Sequence, residues 1–342
     1  MKKRISILSP LNELNELYIL KDAGAMEVYC GYVPEYWFDS FNKVIEKDTE
    51  YFQVGINKRD VKRANISSYR ELCRLVKEAE KLDMEVFLTV NAAFYPYQAY
   101  PLLKRYLSEV RQAGISNVIV SDIGLMRLIS EEYPELRITV SCLAQTLNTY
   151  SVYFFQQFSP RRIVFPRHIS EAEIIGIVKK FPEIEFEIFV LSDKCIYDDG
   201  SCRCHHDIGT ICMDPWNGDF FECESAENSH VVLCEEKDEE VFRRWTRNYP
   251  NSKGVHRTFG NIGCSLCSLP SLLKYSNLNS LKIVGRGKST EIKCELVKIA
   301  AQGIEMALKG DSREMIRKYV SEKLPYNKDM CVSNRYCIIR GK

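Results

Sequence analysis

The sequence lacks both a strong net charge and any long apolar run, and each absence excludes a class of protein. Its 47 lysines and arginines nearly balance 46 acidic residues, leaving a formal net charge of +1. No global field therefore draws the chain to nucleic acid or to acidic lipid. No stretch approaches the roughly 18 apolar residues that a membrane span requires. The basic residues 1–8 also contain too short an apolar run for a signal peptide. We therefore expect a cytoplasmic protein with no membrane association.

Proline is also scarce, with 12 residues among 342, and 45% of the chain is hydrophobic. This composition argues against a disordered chain and is typical of a packed globule. The length allows one large α/β domain or two modest ones. A local basic patch, which is the best candidate for contact with RNA, contains Lys58, Arg59, Lys62 and Arg63. A solvated basic loop is the simpler interpretation of that patch.

Cysteine, in contrast, is abundant. Eight of the fourteen cysteines fall between Cys195 and Cys267. In a reducing compartment, such a cluster indicates metal binding or redox chemistry before it indicates disulfides. The Cys264-Ser-Leu-Cys267 spacing lets two sulfurs reach one centre, and Cys202-Arg-Cys204 does so more tightly.

Thiolates bind either zinc or iron–sulfur clusters, and four of them complete either kind of site. The spacing of the cysteines alone leaves both metals open. A zinc site could also use His205 or His206, which directly follow Cys204.

Eight short β-rich runs recur along the chain, each followed by a helical segment or a long loop. They span residues 5–8, 27–29, 85–90, 117–121, 137–140, 162–165, 185–191 and 280–284. This alternation predicts a (β/α)8 TIM-type barrel. A doubly wound open sheet is the alternative, but no GxGxxG motif follows the first strand.

The cysteine-rich segment interrupts this alternation after the seventh strand. We expect the barrel to span residues 1–310, with a metal-binding insertion at 192–279, and a C-terminal helix and tail to occupy 311–342. Two helix starts carry the capping-box pattern, Ser68 with Glu71 and Ser170 with Glu173.

Polar residues lie at or soon after the ends of several predicted strands, where barrel enzymes place their chemistry. They are Asn91, Asp122, Ser141, Asn148, Arg167 and Arg286. Guanidinium groups bind carboxylates and phosphates bidentately, so the two arginines favour an anionic substrate. Rim salt bridges are the alternative role for the arginines. Helix capping is the alternative for Asp122 and Asn148.

The residues taken together resemble the collagenase-like peptidase family, the thirty-second family of peptidases of unknown mechanism. The similarity extends over about residues 4–290. It rests on Arg63-Ala-Asn65, Thr89-Val-Asn91, Ser121-Asp-Ile-Gly124, Phe165-Pro-Arg167, the run from Cys195 to Cys202, and Leu281-Lys-Ile-Val-Gly-Arg286. One departure is Leu191-Ser192, where the family usually has His-Gly after the seventh strand.

The resemblance implies a barrel that binds a [4Fe–4S] cluster through Cys195, Cys202, Cys212 and Cys264, with zinc as the alternative metal. Cys204 or Cys223 is the alternative to Cys212, because the segment between the second and third ligands is short. Studied relatives take part in oxygen-independent hydroxylation, either in ubiquinone synthesis or on RNA bases, with prephenate implicated as the oxygen source.

We therefore expect an iron–sulfur enzyme that hydroxylates or otherwise modifies an aromatic ring or an RNA base. Asn91, Asp122 and Arg167 are the predicted catalytic residues, and Ser141, Asn148 and Arg286 are the predicted substrate-binding residues. A small anionic or aromatic substrate, RNA and a homologous protein are the expected partners.

Two other functions stay open. One is a peptidase, although the sequence contains no recognisable nucleophile with its base. The other is a non-catalytic, cluster-bearing partner in a modifying complex.

Overall fold

The structure is a computed structural model. It describes residues 5–37, 39–40, 55–59, 64–192, 199–200, 263–324 and 337–339.

Eight parallel strands close into a barrel in the order of the sequence, and the eighth strand pairs with the first. The strands are β1 (Ser6–Pro10), β2 (Glu27–Cys30), β3 (Glu85–Val90), β4 (Asn117–Val120), β5 (Arg137–Val140), β6 (Arg162–Val164), β7 (Glu185–Leu191) and β8 (Leu278–Ile283). The predicted (β/α)8 barrel is therefore confirmed. The largest difference at the start of a strand is at β8, which begins at Leu278 rather than at residue 280.

Helices surround the barrel in the described part of the chain. They are Glu16–Ala23, Tyr69–Lys81, Tyr100–Gln112, Ile123–Glu132, Thr149–Gln156, Glu171–Lys180, Leu269–Leu272, Thr290–Lys309 and Arg313–Lys323. None of these helices is long and apolar enough to cross a membrane.

Successive side chains along each strand alternate between two separate hydrophobic cores. In β4, for example, Val118 and Val120 belong to the large core between barrel and helices, whereas Ile119 packs with Leu8 and Phe87 in a separate cluster. Successive strand side chains point to opposite faces, so this second cluster lies inside the barrel. Both faces of the strands are buried because parallel strands in such a barrel are covered on both sides.

One of the two predicted capping boxes is complete. The Ser170 hydroxyl accepts a hydrogen bond from the Glu173 N–H, and the Glu173 carboxylate accepts one from the Ser170 N–H. Ser68 also caps its helix, but the Glu71 carboxylate bonds Ser67 instead. The second box is therefore only half formed.

Of the predicted insertion 192–279, the structure describes residues 192, 199–200 and 263–279. At Cys264 the chain runs antiparallel to the end of β7, and the Ser265 N–H donates to Val190 O at 3.0 Å. In the predicted C-terminal segment, Ile316 and Val320 are buried in the main core, so the helix Arg313–Lys323 packs against the barrel domain.

Candidate active site

The six polar residues predicted to form the site all lie at one end of the barrel. Asn91 follows β3, Asp122 follows β4, Ser141 and Asn148 follow β5, Arg167 follows β6, and Arg286 follows β8. Because all eight strands are parallel, their carboxyl ends surround a common mouth. The structure thus brings these residues to the same face of the molecule. Their catalytic and binding roles stay predictions.

Asp122 holds two loops at this mouth together. Its carboxylate caps the helix Ile123–Glu132 by accepting the Leu125 N–H at 2.7 Å. It also accepts the Tyr95 N–H at 3.3 Å and the Tyr100 hydroxyl at 3.4 Å. Asp122 therefore caps a helix in this structure, which is the alternative role that the sequence indicated.

Asn148 and Ser141 also have local structural partners. The Asn148 side-chain oxygen accepts the Ser151 N–H at 3.0 Å and so caps the helix Thr149–Gln156. The buried Ser141 hydroxyl accepts the Leu143 N–H at 3.3 Å. Asn91 differs, because its buried Oδ1 has no hydrogen-bond partner within the described residues. A buried carbonyl oxygen without a donor is costly, which makes Asn91 a good candidate to bind an added group.

Arg286 is only 3% exposed and ties three segments of the mouth together. Its guanidinium donates to Thr89 Oγ1 at 3.0 Å, to Asn57 Oδ1 at 3.0 Å and to Asn65 Oδ1 at 3.2 Å. Gly31 passes so close that a Cβ there would collide with the Asn65 side chain and with Arg286. Arg286 thus fixes the β2–β3 connection against β8.

Arg167 forms an ion pair with Asp199, and its backbone N–H also donates to Asp199 Oδ2 at 2.8 Å. The guanidinium carbon lies 4.1 Å from the centre of the Phe189 ring. These contacts hold a largely buried cation at the mouth, between the ends of β6 and β7. Arg167 therefore forms the rim salt bridge that was its alternative predicted role.

A network of buried charges fills the barrel interior, and the sequence analysis did not predict it. Arg162 on β6 donates to both carboxylate oxygens of Glu27 on β2, with N–O distances of 2.8 Å. It also contacts Glu187 on β7 at 3.2 Å. Lys282 on β8 lies 3.0 Å from the other Glu187 oxygen, and its ammonium is 4.5 Å from the ring centre of Tyr29.

The two cations decide the ionisation of Glu187. Burial alone would favour its neutral form, but Lys282 and Arg162, together with hydrogen bonds from Lys282 and Ser280, hold the pKa of Glu187 below its ordinary value. A charged residue in the middle of a mostly apolar strand, such as Glu187 in Glu-Phe-Glu-Ile-Phe-Val-Leu, is the sequence signal that could have revealed this interior.

Cys142 follows Ser141 and packs beside Val164, Phe189 and Val284. Burial of its thiol, reinforced by the nearby Asp199 carboxylate, raises its pKa to about 12. A thiol with such a pKa stays protonated and is a poor nucleophile. Cys142 is therefore not suited to start a peptidase reaction.

Of the four predicted cluster ligands, Cys264 is the one that the structure describes. It pairs with Leu191 at the end of β7 and, on its other side, with Cys337. The Ile338 N–H donates to Cys264 O at 3.0 Å, and the Leu266 N–H donates to Cys264 Sγ at 3.4 Å.

Cys337, which is not one of the predicted ligands, lies next to Cys264, which is one. Cys195, Cys202 and Cys212 lie outside the described residues, so their role as ligands stays a prediction.

The sequence profile of peptidase family U32 matches residues 12–337. The chain belongs to peptidase family U32. This confirms the resemblance found in the sequence, and the closed barrel supplies the expected fold.

Three relatives illustrate the range of similarity. The chain is 31% identical to tRNA hydroxylation protein P of Escherichia coli over 199 residues, which are 57% of this chain and 38% of that protein. It is 23% identical to tRNA hydroxylation protein P1 of Bacillus subtilis over 332 residues, or 94% of this chain and 68% of the relative. It is 23% identical to the uncharacterized protease MJ0090 of Methanocaldococcus jannaschii over 334 residues, which are 94% of this chain and 70% of that protein. The match to the Escherichia coli protein thus spans less than half of that relative's length.

Proposed function

We propose that this U32 protein modifies an RNA base by hydroxylation without molecular oxygen, using a [4Fe–4S] cluster at the barrel mouth. The similarity to tRNA hydroxylation protein P carries the proposal. In such a reaction a C–H bond of the base becomes C–OH, which is a two-electron oxidation. The oxygen atom comes from an oxygen-bearing organic anion, which is reduced by two electrons as it loses that atom.

Cys264, the proposed ligand that the structure describes, supports an iron–sulfur cluster by its chemistry and position. Cys264 offers a soft sulfur ligand at the carboxyl end of β7, and the Leu266 N–H points at that sulfur. Hydrogen bonds to ligating sulfurs are a usual feature of iron–sulfur sites. Cys195, Cys202 and Cys212 would complete the ligand set, and zinc is the alternative metal. A bound cluster would supply one-electron transfer.

The remaining mouth residues suit an anionic donor and a base. Arg167 contributes a buried guanidinium, and Lys282 contributes an ammonium in the barrel interior near the same Phe189 ring, with its nitrogen 5.9 Å from the ring centre. Arg167 is already paired with Asp199 and Lys282 with Glu187, so a carboxylate-bearing donor would share these cations with the paired acids. Asn91, with its unpartnered Oδ1 within the described residues, would accept a hydrogen bond from the substrate.

The reaction is tested by comparing RNA nucleosides by mass spectrometry in cells with and without the gene. We expect a nucleoside that is heavier by one oxygen to disappear on deletion. It should return with the wild-type gene but not with Cys264→Ser. The matched control is Cys73→Ser, in the outer helix Tyr69–Lys81, which should restore the nucleoside fully. An unchanged nucleoside profile, together with peptide hydrolysis by the purified protein, would favour the peptidase instead.

A further inference from the structure

Two consecutive residues of the cysteine-rich insertion, Asp199 and Gly200, lie against the barrel mouth. The carboxylate of Asp199 accepts the Arg167 N–H at 2.8 Å and forms an ion pair with the Arg167 guanidinium. Gly200 passes so close to the loop after β5 that a Cβ there would collide with the Gln145 side chain. The insertion is therefore attached at this point to the loops that follow β5 and β6. We call Asp199 and Gly200 the docked pair.

The docked pair falls between the first two predicted cluster ligands in the sequence. Asp199 comes four residues after Cys195 and three residues before Cys202. A fully extended chain spans at most about 11 Å over three residues and about 14 Å over four. Attachment of the chain at Asp199 therefore limits how far either cysteine can be from the barrel mouth.

The last predicted ligand, Cys264, is tied to the same part of the mouth. The Arg167 guanidinium carbon lies 4.1 Å from the centre of the Phe189 ring. Ser265, which follows Cys264, donates its hydroxyl to Phe189 O at 2.6 Å. Phe189 on β7 therefore contacts the partner of Asp199 with its ring and the neighbour of Cys264 with its carbonyl oxygen. The two described attachments of the insertion thus meet at the ends of β6 and β7.

Burial makes the ion pair between Asp199 and Arg167 a firm attachment. The side chains of Arg167 and Asp199 are 11% and 4% exposed. Breaking a buried pair leaves an uncompensated charge, which is costly, whereas an exposed pair contributes little. Because ligands that are already near one another lose less chain entropy when they bind a metal, a firm attachment between two ligands favours assembly of the site.

We propose that Asp199 is a positioning residue, which anchors the ligand segment 195–202 on Arg167 so that its thiolates reach the same cluster as Cys264. This inference rests on the proposed function, because it names how the cluster of that function is held. Asp199 does not bind the metal and acts through the cysteines on either side of it. Changing a residue that orients metal ligands typically weakens metal binding by about 10-fold to 100-fold.

The test measures the rate at which a ferrous-iron chelator, in the presence of a reductant, removes iron from the anaerobically purified full chain. We expect Asp199→Ala to release iron about tenfold faster than the wild type or more. Asp199→Asn keeps an oxygen that can accept the Arg167 N–H but loses the charge, so its rate should lie between the two. Circular dichroism shows whether each variant keeps the barrel fold, and Asp199→Asn decides if Asp199→Ala does not fold.

Two further variants separate positioning from general destabilisation. The double variant Arg167→Ala with Asp199→Ala should release iron no faster than the faster single variant, because both changes remove the same contact. Glu85→Ala is the matched control. It breaks the pair between Glu85 and Arg161 at the opposite end of the barrel, where β3 begins, and should release iron at the wild-type rate.

Two results would overturn the inference. One is a wild-type rate of iron release in folded Asp199→Ala and Asp199→Asn proteins. The other is an equal acceleration in Glu85→Ala, which would assign the effect to general destabilisation. These failures are distinct from failure of the proposed function. A wild-type protein without a cluster would overturn the proposed function and the inference together, whereas a wild-type cluster that does not respond to changes at Asp199 would overturn the inference alone.

Discussion

At the scale of single residues, the barrel interior depends on ion pairs that join distant strands. Arg162, Glu27, Glu187 and Lys282 are all at most 6% exposed, and each charge faces an opposite one. Removing one partner of a buried pair leaves an uncompensated charge, which is strongly destabilising. Exposed pairs on the same protein have no such penalty.

We expect Lys282→Met to lower the free energy of unfolding by about 3 kcal/mol, because Glu187 then loses one of its two cations. Urea denaturation measures this change. Lys309→Met is the matched control, since its pair with Glu305 is exposed, and its cost should stay below about 1 kcal/mol. Equal losses in the two variants would show that the interior pair has no special role.

Glu85 gives a prediction about pH. A hydrogen bond and the charge of Arg161, aided by Arg137 and Asn117, lower the pKa of Glu85 from 4.5 to about 2. A folded-state pKa below the unfolded value stabilises the protein above the unfolded pKa, and this stabilisation is lost as the pH falls toward 2. Glu85→Gln should therefore lose less stability than the wild type between about pH 5 and about pH 3 in urea titrations. Parallel curves for the two proteins would contradict this.

The residue scale also shows the limit of sequence reasoning. Asp122 and Asn148 were recognisable as caps because their partners are three residues away. Arg286 bonds Asn57, Asn65 and Thr89, and no local pattern pairs residues more than a hundred positions apart. The positions of the site residues at strand ends could be predicted, but their partners could not.

At the scale of elements, the alternation of strands and helices was predictable. Apolar residues recur at a different spacing along the sequence in a helix than in a strand. β3, β5 and β7 have the predicted bounds. The connection between β2 and β3 was not predictable in the same way, because no sequence periodicity indicates how a loop packs against the barrel mouth. Its placement depends on close contact between Gly31, Asn65 and Arg286.

Gly31→Ala tests that contact. The added Cβ would collide with Asn65 and Arg286, and such overpacking should cost about 1–3 kcal/mol of stability. Gly287→Ala, in the loop after β8, is the control, because a Cβ there meets no atom within 4 Å. Thermal unfolding of both variants measures the difference. A Gly31→Ala protein as stable as Gly287→Ala would mean that the mouth is looser than described.

At the scale of the whole molecule, a family U32 barrel carries its predicted functional residues on one face. The fold followed from the sequence because eight similar units repeat along the chain. The position of the metal site was less predictable, since the cysteine-rich segment has no periodic pattern, and Cys264 and Cys267 are the cysteines of that segment that the structure describes. The position of Cys264, at the end of β7 beside Cys337, is where a cluster serving the mouth would have to be held.

Iron and acid-labile sulfide analysis of anaerobically purified protein, with electron paramagnetic resonance after reduction, tests the central claim most directly. We expect about four irons and four sulfides per chain and a reduced-cluster signal. Cys264→Ser should lose most of the iron, while Cys73→Ser should keep it. A colourless protein that contains only zinc, or a Cys264→Ser variant with its full iron content, would contradict the account.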